Sequence, residues 1–201
     1  MAADVLTVIG LKRLATAKQR LMPALSPSQR RELMLRMLGS VVGQARRADL
    51  GEVVLATSEP SAPEIAASLG VTALSDGDLP WNEGLRHALD EVRITAAGVL
   101  YLAGDLPLLT ARDLRNFAAS APARGVAIAR ARDGGTNALL VRPPRLMAPM
   151  FGHPQSSAAH SAHAATQGVP YRIVDIDGLA LDVDTIEDAR DAGVAPGAVG
   201  E

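Results

Sequence analysis

Six short apolar runs rich in β-branched residues punctuate the chain: VLTVIGL at 5–11, EVVLATS at 52–58, GVLYLAG at 98–104, VAIARA at 126–131, ALLV at 138–141 and YRIVDI at 171–176. Helix-like segments alternate with them, and strand-then-helix order at this spacing predicts an α/β domain with a largely parallel sheet. Helix starts are well marked. Ser26-Pro27-Ser28-Gln29 offers a capping hydroxyl, a proline at the first helical position and a glutamine at the third, and Thr110 with Asp113 and Thr185 with Asp188 repeat the idea with an acid. A chain of 201 residues fits one domain. Residues 1–193 are expected to form it, with 194–201 a flexible tail. The apolar stretch LMLRML suits a core face or a dimer surface equally, so a homodimer stays open.

Charge and composition remove several function classes. Lys and Arg total 20 against 22 for Asp and Glu, without the basic excess that tracks nucleic-acid phosphates, so no nucleic-acid partner is expected. The absence of cysteine excludes disulfides and thiolate metal sites and is compatible with a reducing cytosol, which makes a cytoplasmic location the expectation. VLTVIGL follows Asp4 with no basic residue before it, unlike a signal peptide, and no apolar run approaches the ~18 residues of a membrane span. No membrane partner is expected.

In parallel α/β sheets ligands bind beyond the carboxyl ends of the strands, which directs attention to the residues that follow each run. After the first come Lys12, Lys18 and Arg20; after the second, Thr57 and Ser58; at the end of GVLYLAG, Gly104 and Asp105; between VAIARA and ALLV, Gly134, Gly135, Thr136 and Asn137; near the end, Asp182 and Asp184. Cations, glycines, hydroxyls and carboxylates together suit a polyphosphate with a divalent metal. Neither glycine-rich phosphate fingerprint occurs, so a triphosphate would be held mainly by side-chain charge; taken alone, the three cations also read as solvated loop residues. Asp105 directly follows an apolar run, where a carboxylate needs a partner such as a metal ion. Asp182 and Asp184 lie two apart and share a face on an extended segment, although Asp184 also suits a helix cap. In DGGTN the glycines allow close backbone approach to an anion, with Thr136 and Asn137 as side-chain donors. Ser156-Ser157 opens the helix-like SSAAHSAHAATQG, and a helix N-terminus attracts phosphate or carboxylate. Either stretch alone also reads as a glycine turn or an ordinary serine cap.

The motifs AKQRL-x-P-x-LS, AGDLPLL, DGGTNALL, FG-x-x-x-SS-x-x-H and LDVDT, in this order, resemble the guanylyltransferases of coenzyme F-420 biosynthesis, which are related to the molybdopterin guanylyltransferases. The resemblance covers residues 5–193. It implies a three-layer α/β/α nucleotidyltransferase (Rossmann-like) fold and transfer of GMP from GTP to the phosphate of 2-phospho-L-lactate, phosphoenolpyruvate or 3-phosphoglycerate, with release of pyrophosphate. It further implies Mg²⁺ on Asp105, Asp182 and Asp184, with Lys18, Arg20 and Asp105 as the catalytic set. Lys12, Lys18, Arg20, Ser58, Asn82 and Gly104 would meet the nucleotide; Gly134, Gly135, Thr136, Asn137, Gly152, Ser156 and Ser157 would meet the acceptor. FGHPQSS carries one residue more than the usual FG-x-x-S. The attacking group would be an ionised phosphate oxygen, which needs no general base, and no acid/base dyad or nucleophile elbow occurs.

Three alternatives accompany this reading. His153, His160 and His163 cluster, and His160 and His163 at i, i+3 could share a hydrolase metal; the simpler expectation is partly exposed polar residues with His160 near the acceptor. A non-catalytic nucleotide-binding module would not need a complete carboxylate clamp. A molybdopterin-type enzyme would carry a glycine-rich first loop, and LKRLATAKQRL is not one.

Overall fold

Alternate residues of each apolar run point to opposite sides of one sheet, and helices cover both sides. The computed structural model describes residues 5–92 and 94–194. Strands Val5–Gly10 (β1), Val53–Ala56 (β2), Thr72–Leu74 (β3), Gly98–Leu102 (β4), Gly125–Arg130 (β5), Thr136–Arg142 (β6) and Tyr171–Val174 (β7) form a seven-stranded sheet in the order β3-β2-β1-β4-β6-β5-β7. The helices are Pro27–Ala48 (α1), Ala62–Leu69 (α2), Trp81–Asp90 (α3), Ala111–Ser120 (α4), Ser156–Thr166 (α5), Asp177–Ala180 (α6) and Ile186–Asp191 (α7). Ile9, Leu100, Leu102 and Leu140 join Leu33, Leu38, Leu114 and Phe117 of α1 and α4 in one core. Val8, Val99, Tyr101 and Leu139 join Leu85, Leu89 and Ala164 of α3 and α5 in the other. This period-two division of buried side chains makes the three layers.

All six expected strands form, and β3 adds a seventh. At three residues, with only Leu74 buried, β3 is too short to show a pattern. Strands β1 to β4 are mutually parallel, and β7 is parallel to β5. The exception is β6, antiparallel to both β4 and β5. Five residues separate β5 from β6, too few for the crossover that a parallel pair requires, so the chain turns back directly.

The three anticipated capping boxes, Ser26 with Gln29, Thr110 with Asp113 and Thr185 with Asp188, are all formed. Leu33, Met34, Met37 and Leu38 of LMLRML are buried in the core, which answers what that stretch packs against. Val194, the first residue of the expected tail, is held: its N–H donates to the Ala189 carbonyl at 2.9 Å, and Arg36 donates to its carbonyl at 3.3 Å. The rest of the tail, 195–201, lies outside the described residues.

This order places the switch point of the sheet between β1 and β4. The chain runs outward from β1 to β2 to β3, then returns through α3 to the opposite flank of β1, which opens a crevice at the carboxyl ends of β1 and β4. Because β6 is antiparallel, its first residues, Thr136 and Asn137, begin at that same edge. Gly10 ends β1 directly beneath the indole of Trp81, the first residue of α3, and a Cβ at position 10 would collide with the ring. Gly10→Ala is therefore expected to destabilise the protein by about 1–3 kcal/mol in urea unfolding. Adding Trp81→Ala should remove most of that effect beyond its own cost, since the two sites share one contact; strictly additive effects would mean that the ring does not rest on Gly10.

Candidate active site

Three carboxylates meet at the crevice. Asp105 follows β4, and Asp182 and Asp184 lie on an extended segment before α7; one oxygen of each falls within 4.8 Å of the others. Leu181 and Val183 are buried while the two acids between and after them are partly open, the alternation that their spacing required. Thr185 rather than Asp184 caps α7. The Asp188 carboxylate that completes this cap also accepts the Asp184 N–H at 3.1 Å, which ties the acid to the helix start.

Lys18 holds the cluster together. Its side chain is 7% exposed, and its ammonium donates to Asp105 and, at 2.9 Å, to Asp184. Lys18 sits in the left-handed region at φ 55°, a conformation that costs a non-glycine residue roughly 1–2 kcal/mol. Burial disfavours its charge, but the two carboxylates outweigh this and hold its pKa above the ordinary lysine value. Burial also acts against ionised Asp184, yet Lys18, Arg20 and Lys12 keep that carboxyl below its usual range. Asp182 lacks such a direct ammonium contact. Burial and the neighbouring Asp105 charge push it up to about 6, against a hydrogen bond from Asn137.

The residues expected to meet the nucleotide divide into two groups. Lys12 and Lys18 line a cleft of about 310 Å³, at the lower end of the range for small-molecule sites, together with Trp81, Gly104, Asp105, Asp182 and Asp184. The Lys12 ammonium lies 5.0 Å from the Trp81 ring centroid, a cation–π contact, and Arg20 stands at the rim, 74% exposed and 3.4 Å from Asp184. A Cβ at Gly104 would press on Leu38, Ile9 and Met34, so the glycine fits the close approach of the strand end to the core. Ser58 and Asn82 lie outside the cleft lining and already have partners. The Ser58 hydroxyl donates to Asp76 and accepts from the Asp78 N–H at 2.9 Å. The Asn82 amide clasps the Phe151 backbone, accepting from its N–H at 2.8 Å and donating to its carbonyl at 3.0 Å. Thr57 is buried, donating to the Leu11 carbonyl at 2.7 Å.

Of the residues expected to meet the acceptor, Thr136, Asn137 and Gly152 reach the cleft, whereas Gly134 and Gly135 build the turn before Thr136. The Gly134 N–H donates to the Ala131 carbonyl at 3.0 Å and the Gly135 N–H to Asp133 at 2.7 Å; Gly134 supplies a positive φ of 89°. Asn137 donates to the Leu179 carbonyl at 3.0 Å and to Asp182 at 3.1 Å, so its amide orients a carboxylate of the cluster. Gly152, at φ 80°, has open space where a Cβ would stand. The residue that lengthens FGHPQSS is absorbed in an exposed turn, His153–Gln155, and Ser156 still reaches Thr136, donating at 3.1 Å. Ser157 donates to the Gly134 carbonyl at 2.8 Å, binding α5 to the turn.

The histidines differ from expectation. His153 and His163 are exposed, but His160 is fully buried with both ring nitrogens in hydrogen bonds, so it shares no metal with His163. Its position on α5, four residues after Ser156 and four before buried Ala164, puts it on the helix face turned to the sheet. That i, i+4 spacing was the available sign. Burial lowers its pKa to about 4. Gly10 and Phe151 were also passed over; Phe151 meets both Tyr101 and His160 edge-on, with ring centroids 6.2 and 5.3 Å apart.

A family described as "Guanylyl transferase CofC like" matches residues 5–193. The chain belongs to this family. Among similar proteins, the phosphoenolpyruvate guanylyltransferase of Sphaerobacter thermophilus is 41% identical over 95% of this chain and 94% of its own length. The 2-phospho-L-lactate guanylyltransferase of Methanothermobacter thermautotrophicus is 36% identical over 90% and 80%. The fold is the three-layer α/β/α fold of nucleotidyltransferases. A nucleotidyl transferase from Methanothermobacter superposes with a TM-score of 0.69 at 18% identity, covering 94% of this chain and 95% of that one. A Mycobacterium tuberculosis H37Rv protein solved in complex with manganese superposes at 0.60 with 22% identity, covering 96% and 98%. The CofC-like chain is thus a nucleotidyltransferase, and its acidic triad is a donor set able to hold a divalent cation: all-oxygen, anionic and convergent.

The folded-state pKa of Asp182 lies above the unfolded carboxylate value, so its ionised form opposes folding above about pH 6. This penalty fades as pH falls toward the unfolded value. Asp182→Asn, which can still accept from Asn137, is expected to raise the melting temperature of the metal-free protein by a few degrees at neutral pH and by little near pH ~4. Divalent-metal binding should be lost in the same variant. A lower melting temperature at neutral pH would overturn the electrostatic account of this carboxylate.

Proposed function

We propose that the protein transfers GMP from GTP to the phosphate of a small phospho-acid, phosphoenolpyruvate, 2-phospho-L-lactate or 3-phosphoglycerate, in coenzyme F-420 biosynthesis. The observation that carries this reading is the convergence of Asp105, Asp182 and Asp184 beside a cleft with cations on one wall and Thr136, Asn137 and Gly152 on another, Ser156 donating to Thr136 from behind. The family and the named activities of its relatives support it.

Asp105, Asp182 and Asp184 would hold Mg²⁺, which when bound supplies charge neutralisation to the nucleotide phosphates. Lys12, Lys18 and Arg20 add positive charge along the cleft, where a triphosphate would lie. Thr136 and Ser156, with the open backbone at Gly152, would orient the acceptor. An acceptor phosphate oxygen attacks the α-phosphorus of GTP and forms the new anhydride bond; the α–β anhydride bond breaks, and its electron pair leaves with pyrophosphate. The attacking oxygen is already ionised near neutral pH, so alignment and charge stabilisation carry the reaction. His160, buried and engaged at both nitrogens, is unsuited to act as a general base.

Purified protein incubated with Mg²⁺, GTP and each of the three phospho-acids in turn should release pyrophosphate and yield a guanylylated product of the expected mass with at least one. Asp105→Asn is expected to lower turnover by at least about 100-fold while the circular dichroism spectrum stays unchanged. Wild-type-like turnover in that variant would remove Asp105 from the machinery, and no product with any acceptor would overturn the assigned reaction.

A further inference from the structure

Thr136 Oγ1 receives two hydrogen bonds inside the protein. His160 Nε2 lies 2.8 Å from the Met150 N–H and accepts from it, which leaves the single proton of the neutral ring on Nδ1. Nδ1–H then faces Thr136 Oγ1 at 3.1 Å. Ser156 donates to the same oxygen, also at 3.1 Å. A hydroxyl oxygen has two acceptor positions, and here both are filled. The hydrogen of Thr136 finds no acceptor among the described residues, and Thr136 lines the cleft. His160 is 0% exposed and Thr136 8%, so water does not readily substitute for either contact.

We infer that His160 is a positioning residue: together with Ser156 it occupies the lone pairs of Thr136 and leaves that hydroxyl able only to donate, toward an anionic group of the acceptor. The inference rests on the acceptor-site reading given above. It assigns a task to a residue that does not itself touch substrate. It also links that task to the loop carrying Phe151 and Gly152, because the Met150 N–H that selects the tautomer belongs to the start of that loop. With the opposite tautomer, Nδ1 would be an acceptor and would turn the threonine hydrogen inward, leaving a lone pair to confront the anion.

Steady-state kinetics with phosphoenolpyruvate and GTP test this on the full chain. Thr136→Val should raise the KM for phosphoenolpyruvate about tenfold or more, the scale of a hydrogen bond to a charged group, and leave the KM for GTP unchanged. His160→Gln puts its amide near Nε2, where it can keep the Met150 contact while losing Thr136; it should reproduce that selective rise. His160→Asn puts its amide near Nδ1, keeps a donor to Thr136 and should restore most of the loss. In the Thr136→Val background, His160→Gln should add nothing further. If Thr136→Val leaves the phosphoenolpyruvate KM unchanged, the acceptor-site reading itself falls. If it raises that KM while His160→Gln does not, or if His160→Gln raises both KM values equally, only the positioning role falls. Independently of any variant, ¹⁵N-resolved imidazole NMR of the wild-type protein should show a neutral Nδ1–H ring for His160 throughout pH ~5–8. An Nε2–H or doubly protonated ring would overturn the proposal.

Discussion

The ammonium of Lys18 between Asp105 and Asp184 is the contact on which the organisation of the site depends. Three carboxylates drawn to one point repel each other, on the order of 4 kcal/mol for a pair about 4 Å apart at the effective dielectric of a protein site. A fold that brings them together must offset that repulsion by itself. Lys18 does so from a strained left-handed backbone, and the pKa pattern records the result. Asp184, in direct contact with the ammonium, lies below its usual range, whereas Asp182, held by an amide alone, is pushed up to about 6. The site is therefore unevenly balanced, with Asp182 the carboxylate that has no ammonium in direct contact.

Everything that reaches this point does so through the switch in strand order between β1 and β4. Lys18 follows β1, Asp105 follows β4, and Thr136 and Asn137 open β6, whose reversed direction brings the start of a strand to the edge where the others end. Asn137 spans the cleft by orienting Asp182 while its neighbour Thr136 lines the same cleft. The Asn82 clasp on Phe151 sets the opposite wall, and Phe151 in turn packs edge-on against His160.

Five of the six legible strands have buried apolar runs, such as GVLYLAG, because continuous β-branched and leucine-rich runs have no other stable place in a protein of this size; the sixth, β7, is largely exposed. The three capping boxes were legible for a local reason: the hydroxyl and its partner three residues on satisfy each other without tertiary help. The acid pair of LDVDT was legible because a strand's period of two is a property of the backbone. Ser58, Asn82, Gly134 and Ser157 show the opposite case. Their residue types suit a ligand, but the polar groups of Ser58, Asn82 and Ser157 are taken up by neighbours distant in sequence and the Gly134 N–H by Ala131 in its own turn, and residue type alone does not show which donors are already spent.

The sequence by itself determined six of the seven strands, the capped starts of α1, α4 and α7, the family and the identity of the three acids, since each depends on local periodicity, capping chemistry or motif order. Only the tertiary structure decided that Lys18 would lie between Asp105 and Asp184, that the glycines of DGGTN would serve the turn, and that His160 would be buried against Thr136. Those outcomes depend on which neighbours fill a lone pair, neutralise a charge or exclude water. The two carboxylates on Lys18 and the threonine on His160 lie 24 to 166 positions away from them and meet them only once the sheet has formed.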